Sequence, residues 1–159
     1  MRTQILLLLA ALVALPAAAA KAETALTPAD HFDIQQLYAR YTYAFDSNDP
    51  QILATVFTPD ADFILSGKPM KAMGMIKGPA KPMPEVRHVT TSIVFNASPE
   101  GARGSAYVTL VNLQATPPAI MGGGFYQDIL VKTPQGWRFK QRTYNPQNAP
   151  APPAQSTSK

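Results

Sequence analysis

Apolar and polar positions follow more than one rhythm along this chain. Ile34, Leu37, Tyr38, Tyr41, Ala44 and Phe45 recur at spacings of three and four, with Arg40 off the stripe, which predicts an amphipathic helix over residues 28–45. Its start is legible: Thr27 can cap, Pro28 suits the first turn, and Asp30 sits where a helix dipole favours a negative charge. Asp46-Ser47-Asn48-Asp49 breaks the stripe, because these side chains compete for backbone hydrogen bonds. Asp49-Pro50 then restarts a helix with Ile52, Leu53, Val56 and Phe57 on its apolar face and Pro59 at its end, and residues 61–65 read as a first strand.

Residues 66–85 carry repeated Gly and Pro and read as a long loop with at most one short helical turn, a lid candidate holding Met70, Met73, Met75 and Met83. Beyond it the period changes to two. Strands are predicted over 86–96, 103–114, 121–132 and 137–145, with turn chemistry between them, and an antiparallel meander is the simplest sheet. Alternation places Val86, His88, Thr90, Ser92 and Val94 on one face, and Gly122-Gly123-Gly124 is suited to bending a strand. Helices followed by a curved sheet give an α+β fold: a cone-shaped antiparallel sheet covered by the N-terminal helices and enclosing a pocket. This single domain spans residues 23–146, and the Pro-rich polar residues 147–159 are expected to be a disordered tail.

The first 22 residues have a different logic. Arg2, an apolar run over 5–15, a Pro16 break and a small-residue ending at Ala20-Lys21-Ala22 read as a cleavable secretory signal, cut after Ala22 or Ala20. The run is shorter than the roughly 20 residues of a membrane span, so the expectation is a periplasmic or secreted protein without membrane insertion after cleavage. The chain has no cysteine, which excludes disulfides and a lipid-modified terminus. Removing Arg2 and Lys21 with the leader takes the net charge from +4 to +2. Lys68, Lys71, Lys77 and Lys81 cluster without interleaved aromatic residues, so no nucleic-acid partner is expected.

No glycine-rich phosphate loop, G-x-S-x-G elbow or zinc-like histidine set is present, so no cofactor and no metal are expected. The Met70-x-x-Met73-x-Met75 run has thioethers of the kind that hold Cu(I), yet with neither Cys nor a neighbouring His it reads as loop packing.

Several segments occur in a telling order: Tyr43-Ala44-Phe45-Asp46 with Asp49, Phe57-Thr58-Pro59-Asp60-Ala61, Arg87-His88, Gly124-x-Tyr126-x-Asp128 and Gly136-Trp137-Arg138-Phe139. Together they resemble the SnoaL-like branch of the nuclear transport factor 2-like superfamily over nearly all of residues 30–146. The resemblance implies an acid/base pair like that of scytalone dehydratase and hexachlorocyclohexane dehydrochlorinase, an aspartate ending the first helix and a histidine opening a strand, here Asp46 and His88. The chain departs from scytalone dehydratase at Phe63, where that enzyme has an aromatic hydroxyl, and near Asn112, where it has a second histidine. A substrate different from either enzyme's is therefore expected.

The chemistry is coherent by itself, since a neutral imidazole suits proton abstraction near neutral pH and a carboxylate fixes its tautomer. The expected activity is that of a cofactor-independent lyase or isomerase, dehydratase-like, acting on a small, mostly apolar cyclic substrate. Phe63, Val89, Phe125, Tyr126, Met73 and Met75 are candidates to line the pocket, and Asn112 or Tyr126 to donate to an oxyanion. Arg87 and Arg142 have the charge to meet a substrate carboxylate, but as strand-end arginines they read as solvated; Tyr38 and Tyr41 read as core. The plainer alternatives are that Asp46 caps a turn while His88 sits satisfied in a non-catalytic exported binder of small hydrophobic ligands, or that the domain is a dimerisation module. The resemblance also implies a homo-oligomer, dimer or trimer.

Overall fold

A computed structural model describes residues 25–76 and 86–147. The expectations for the leader, for Met83 and the rest of residues 77–85, and for the tail from residue 148 onward lie outside the described residues.

Helix α1, Pro28–Asp46, begins in a reciprocal cap: the Thr27 side chain accepts from the Asp30 N–H, and Asp30 accepts from the Thr27 backbone. Its stripe is buried as the pattern requires, with Ile34, Leu37 and Ala44 at 0% exposure. Helix α2, Pro50–Ala54, is capped by Asp49, which accepts from the N–H groups of Gln51 and Ile52. It is shorter than expected. Val56 and Phe57 are buried from a strand approach, because β1 (Phe57–Leu65) begins before Pro59; proline is tolerated near the beginning of a strand, where its missing N–H has least effect on the ladder.

The segment read as loop opens instead with a hairpin, β2 (Lys68–Lys71) returning antiparallel on β1 through Ser66 and Gly67, both at positive φ, and continues as a 3-10 turn over Ala72–Gly74. Four long strands follow: β3 (Val86–Ser98), β4 (Gly101–Asn112), β5 (Ala119–Thr133) and β6 (Gly136–Pro146). The sheet order is β2-β1-β6-β5-β4-β3. The last four strands form the expected meander, but β1 joins it parallel to β6, so the sheet is not wholly antiparallel. The crossover from β1 to the meander makes this possible, since a parallel pair needs a long connection.

α1 lies across the inner face, packed on β3 and β6. Its Leu37, Tyr38 and Tyr41 meet Ala102, Ala106, Leu130 and Phe139 in the core, where each large apolar side chain contributes roughly 1.5–3 kcal/mol. Gly104 leaves space for Tyr38, since a Cβ there would overlap the tyrosine hydroxyl. One alternation fails. Ser92 sits at φ 51 and the β3–β4 register shifts between Thr91 and Val94, so the bulge turns Ile93 and Phe95 inward and leaves Val94 59% exposed.

Candidate active site at the helix end

Asp46 is the last residue of α1 and His88 the third of β3, and the helix delivers one onto the other. Asp46 Oδ1 lies 2.7 Å from His88 Nδ1, and the His88 backbone N–H donates to both carboxylate oxygens at 3.2 and 3.3 Å. β3 is an edge strand, so this N–H has no strand partner on that side; Asp46 supplies one. One helical turn back, Thr42 Oγ1 meets Thr90 Oγ1 at 3.1 Å, a second rung that fixes helix against strand. The two side chains are largely but not wholly enclosed, at 11% exposure for His88 and 14% for Asp46.

In the neutral ring a proton on Nδ1 is the one that bonds a carboxylate, which leaves the Nε2 lone pair as an acceptor. Among the described residues Nε2 has no hydrogen-bond partner.

Aromatic rings lead inward from the pair. Phe45 stands 5.8 Å from the His88 ring, Tyr41 4.7 Å from Phe45, and Tyr126 5.6 Å from Tyr41. Phe63 is buried in the same core cluster, while Met73 and Met75 are half-buried against it. Burial raises the Tyr41 and Tyr126 pKa values, so both phenols stay protonated donors. Asn112 shares the His88 face one row further out, but its Oδ1 accepts from the Gln114 N–H at 2.8 Å in the turn that ends the strand.

Two expected lining residues are elsewhere. Phe125 and Val89 are on the opposite face of the sheet: Phe125 is the register partner of Tyr107, 61% exposed, and Val89 is itself 45% exposed. Strand alternation is the reason, because Tyr126 and His88, their direct neighbours, take the inner positions. A cleft of about 420 Å³ that Phe125 does line, with Tyr107, Thr109 and Gly122 to Gly124, is likewise on the outer face.

A group that the residue pattern hid lies at the centre of the cone. Arg142, expected to be solvated, is 0% exposed. Its Nε and Nη2 donate to Asp128 Oδ1 and Oδ2, each at 2.8 Å, and the Tyr38 hydroxyl donates to Oδ2 at 2.6 Å. Tyr41, Tyr126 and Phe139 surround the guanidinium at 4.0, 4.2 and 3.9 Å from their ring centres. Burial pulls the Arg142 pKa down, but the Asp128 carboxylate raises it further, so the group is held charged. Its Nη1 is buried without a partner. The sequence concealed this because Lys140 is skipped in the β5–β6 pairing, where the register shifts between Ile129 and Leu130. That bulge reverses the alternation and brings Arg142 inward.

A helix laid on the inner face of a curved α+β sheet, with an aspartate–histidine contact where the helix ends on the edge strand, defines a class of cone-shaped domains. Within that class the chain belongs to the SnoaL-like domain family, whose model matches residues 27–143. Among solved structures it is similar to a substituted form of Rv3472, a function-unknown protein from Mycobacterium tuberculosis, at 26% identity and a TM-score of 0.64, covering 76% of each chain. It is also similar in fold to a putative scytalone dehydratase from Novosphingobium aromaticivorans (21% identity, TM-score 0.58, 74% of this chain and 84% of that one). LinA is a further likeness in fold (21% identity, TM-score 0.59, 79% and 95%). Comparison with curated proteins gives no match. Membership of this family is consistent with a role of the lyase or isomerase type.

Proposed function

We propose that this protein is an exported, cofactor-independent lyase or isomerase, dehydratase-like, in which Asp46 and His88 act as an acid/base pair on a small, mostly apolar cyclic substrate. The observation that carries the reading is the 2.7 Å contact between His88 Nδ1 and Asp46 Oδ1, with Nε2 left without a partner among the described residues. In the lyase form Nε2 takes a proton from a substrate carbon, the C–H electron pair becomes a new C=C bond, and the leaving group departs from the adjacent carbon with its own bonding pair. The proton on Nε2 then passes to that leaving group. In the isomerase form the proton returns to a different carbon. Asp46 holds the ring and balances the imidazolium charge in both.

The aromatic row and the half-buried methionines suit a substrate with few charges, and the phenol of Tyr126 supplies a donor to a developing oxyanion. Turnover in a substrate screen is expected to fall about 10²–10⁴-fold in His88→Ala and in Asp46→Asn. Undiminished turnover in both variants refutes the mechanism.

One observation favours a second reading, a non-catalytic binder of small hydrophobic ligands. The Asp46 carboxylate also holds the His88 backbone N–H, a structural task that survives without chemistry. Saturable binding of an apolar ligand that is recovered unchanged, with affinity insensitive to His88→Ala, selects this reading.

A further inference from the structure

We infer that Tyr144 is a specificity-determining residue of the site in front of His88, its phenol oxygen accepting a hydrogen bond from a hydroxyl group on the far edge of the ligand. The inference rests on the reading that a small cyclic ligand lies against His88, and adds a polar group that such a ligand carries.

Strand register locates the space. Directly paired residues present their side chains to the same face of a sheet, so His88 shares the inner face with Leu110 and Gly122, and the next inner row is Thr90, Val108 and Gly124. Toward the narrow end the inward side chains of Ala102, Ala106 and Leu130 are buried, whereas His88, Thr90, Leu110 and Tyr144 are only half-buried. The inner face is therefore incompletely filled where His88 stands. Opposite it β5 contributes glycine alone: a Cβ added at Gly122 would meet no atom within 4 Å among the described residues. Two strand spacings, about 10 Å, separate the β3 and β5 backbones, so a small ring resting on Leu110 and Val108 has His88 at one edge and the glycines at the other.

Tyr144 stands at that other edge. It is the register partner of buried Tyr126, so its side chain points inward. At Gly124 a Cβ would come within 2.8 Å of Tyr144 Cε2, and glycine there lets the ring lean from β6 across β5. The Tyr144 hydroxyl donates to the Gly123 carbonyl at 3.0 Å. That bond uses the one proton the phenol has, and burial raises its pKa, so it stays a neutral phenol near pH 7. Nothing among the described residues donates to its oxygen. What remains for a ligand is an acceptor. A hydroxyl matches it, whereas a carboxylate or a carbonyl has no proton to give.

Isothermal titration calorimetry of the protein with 2-naphthol and with 2-fluoronaphthalene, which has nearly the same shape and no hydroxyl proton, tests the inference. The native chain is expected to bind 2-naphthol about 5- to 10-fold more tightly, the worth of one neutral hydrogen bond, and Tyr144→Phe to bind the two within about 2-fold of each other. A tyrosine that only braced the strand would weaken both ligands alike, so the ratio isolates recognition. Gly122→Leu should abolish binding of both by filling the space opposite His88, with far-ultraviolet dichroism unchanged. Failure of the native chain to bind 2-naphthol, equal affinity for the two probes, or a preference that persists in Tyr144→Phe overturns the inference. So does binding undisturbed by Gly122→Leu. Turnover plays no part in these measurements: a missing hydroxyl preference leaves the acid/base pair standing, and a lack of turnover leaves the role of Tyr144 standing.

Discussion

Asp46 shows how one carboxylate can serve structure and chemistry together. Because it bonds the His88 backbone as well as the ring, Asp46→Ala should cost about 1–2 kcal/mol more stability than His88→Ala, which leaves the backbone bond in place; urea midpoints measure the difference. Arg142 and Asp128 behave differently because nothing around them is wet. Removing one partner strands the other charge among aromatic rings, so Arg142→Leu or Asp128→Asn should each cost about 3–5 kcal/mol, whereas Arg142→Met combined with Asp128→Leu should recover most of the loss. Denaturant unfolding of the three variants distinguishes a coupled pair from two independent contacts. At Gly104 the requirement is space. Gly104→Ala pushes a methyl into the Tyr38 hydroxyl and should weaken the same cluster.

At the scale of elements, the strand bulges decide which side chains reach the interior. In β3 the backbone reverses its alternation at Ser92, a residue at φ 51, where an L side chain is strained. Ser92→Gly should therefore raise stability by up to about 1 kcal/mol, and Ser92→Val should lower it by a similar or larger amount, as thermal unfolding will show. The turn between α1 and α2 acts in the opposite direction. Asp49 caps α2 while Ser47 ends α1, with its N–H bonded to the Tyr43 carbonyl at 2.9 Å, so the acidic break ends one helix at the residue that must face His88. The β5–β6 bulge does for Arg142 what the β3 bulge does for Ile93 and Phe95.

At the scale of the whole molecule, α1 is fastened at both ends. Opposite Asp46, Asp30 accepts from Lys132 at 2.7 Å, from Trp137 at 2.8 Å and from its own cap, joining the helix start to the β5–β6 hairpin. The Lys132 ammonium, then the Thr27 cap and Trp137, hold the Asp30 carboxyl far below the usual carboxylate range. A depressed folded pKa gives stability that is complete above the ordinary carboxylate value and lost as pH falls toward the folded one. Asp30→Asn should thus melt well below the native protein at pH 7, and the gap should shrink below about pH 4. The two helices with their caps and the four long strands were legible in the residues, because propensity, capping and period two are local properties, whereas the pairing of Asp46 with His88 came from the family resemblance and the β2 hairpin was hidden in a segment read as loop. The parallel entry of β1, the inward turn of Arg142, and the outward placement of Phe125 and Val94 were not. Each depends on which strand lies beside which and where a single extra residue reverses the alternation, and the sequence carries the pattern of a strand without its register. So the amino-acid order determined that a helix would end in a carboxylate and that a strand would open with a histidine; only the packed sheet brought the two together and decided which rings lead inward from them, because that depends on strand register and not on local pattern.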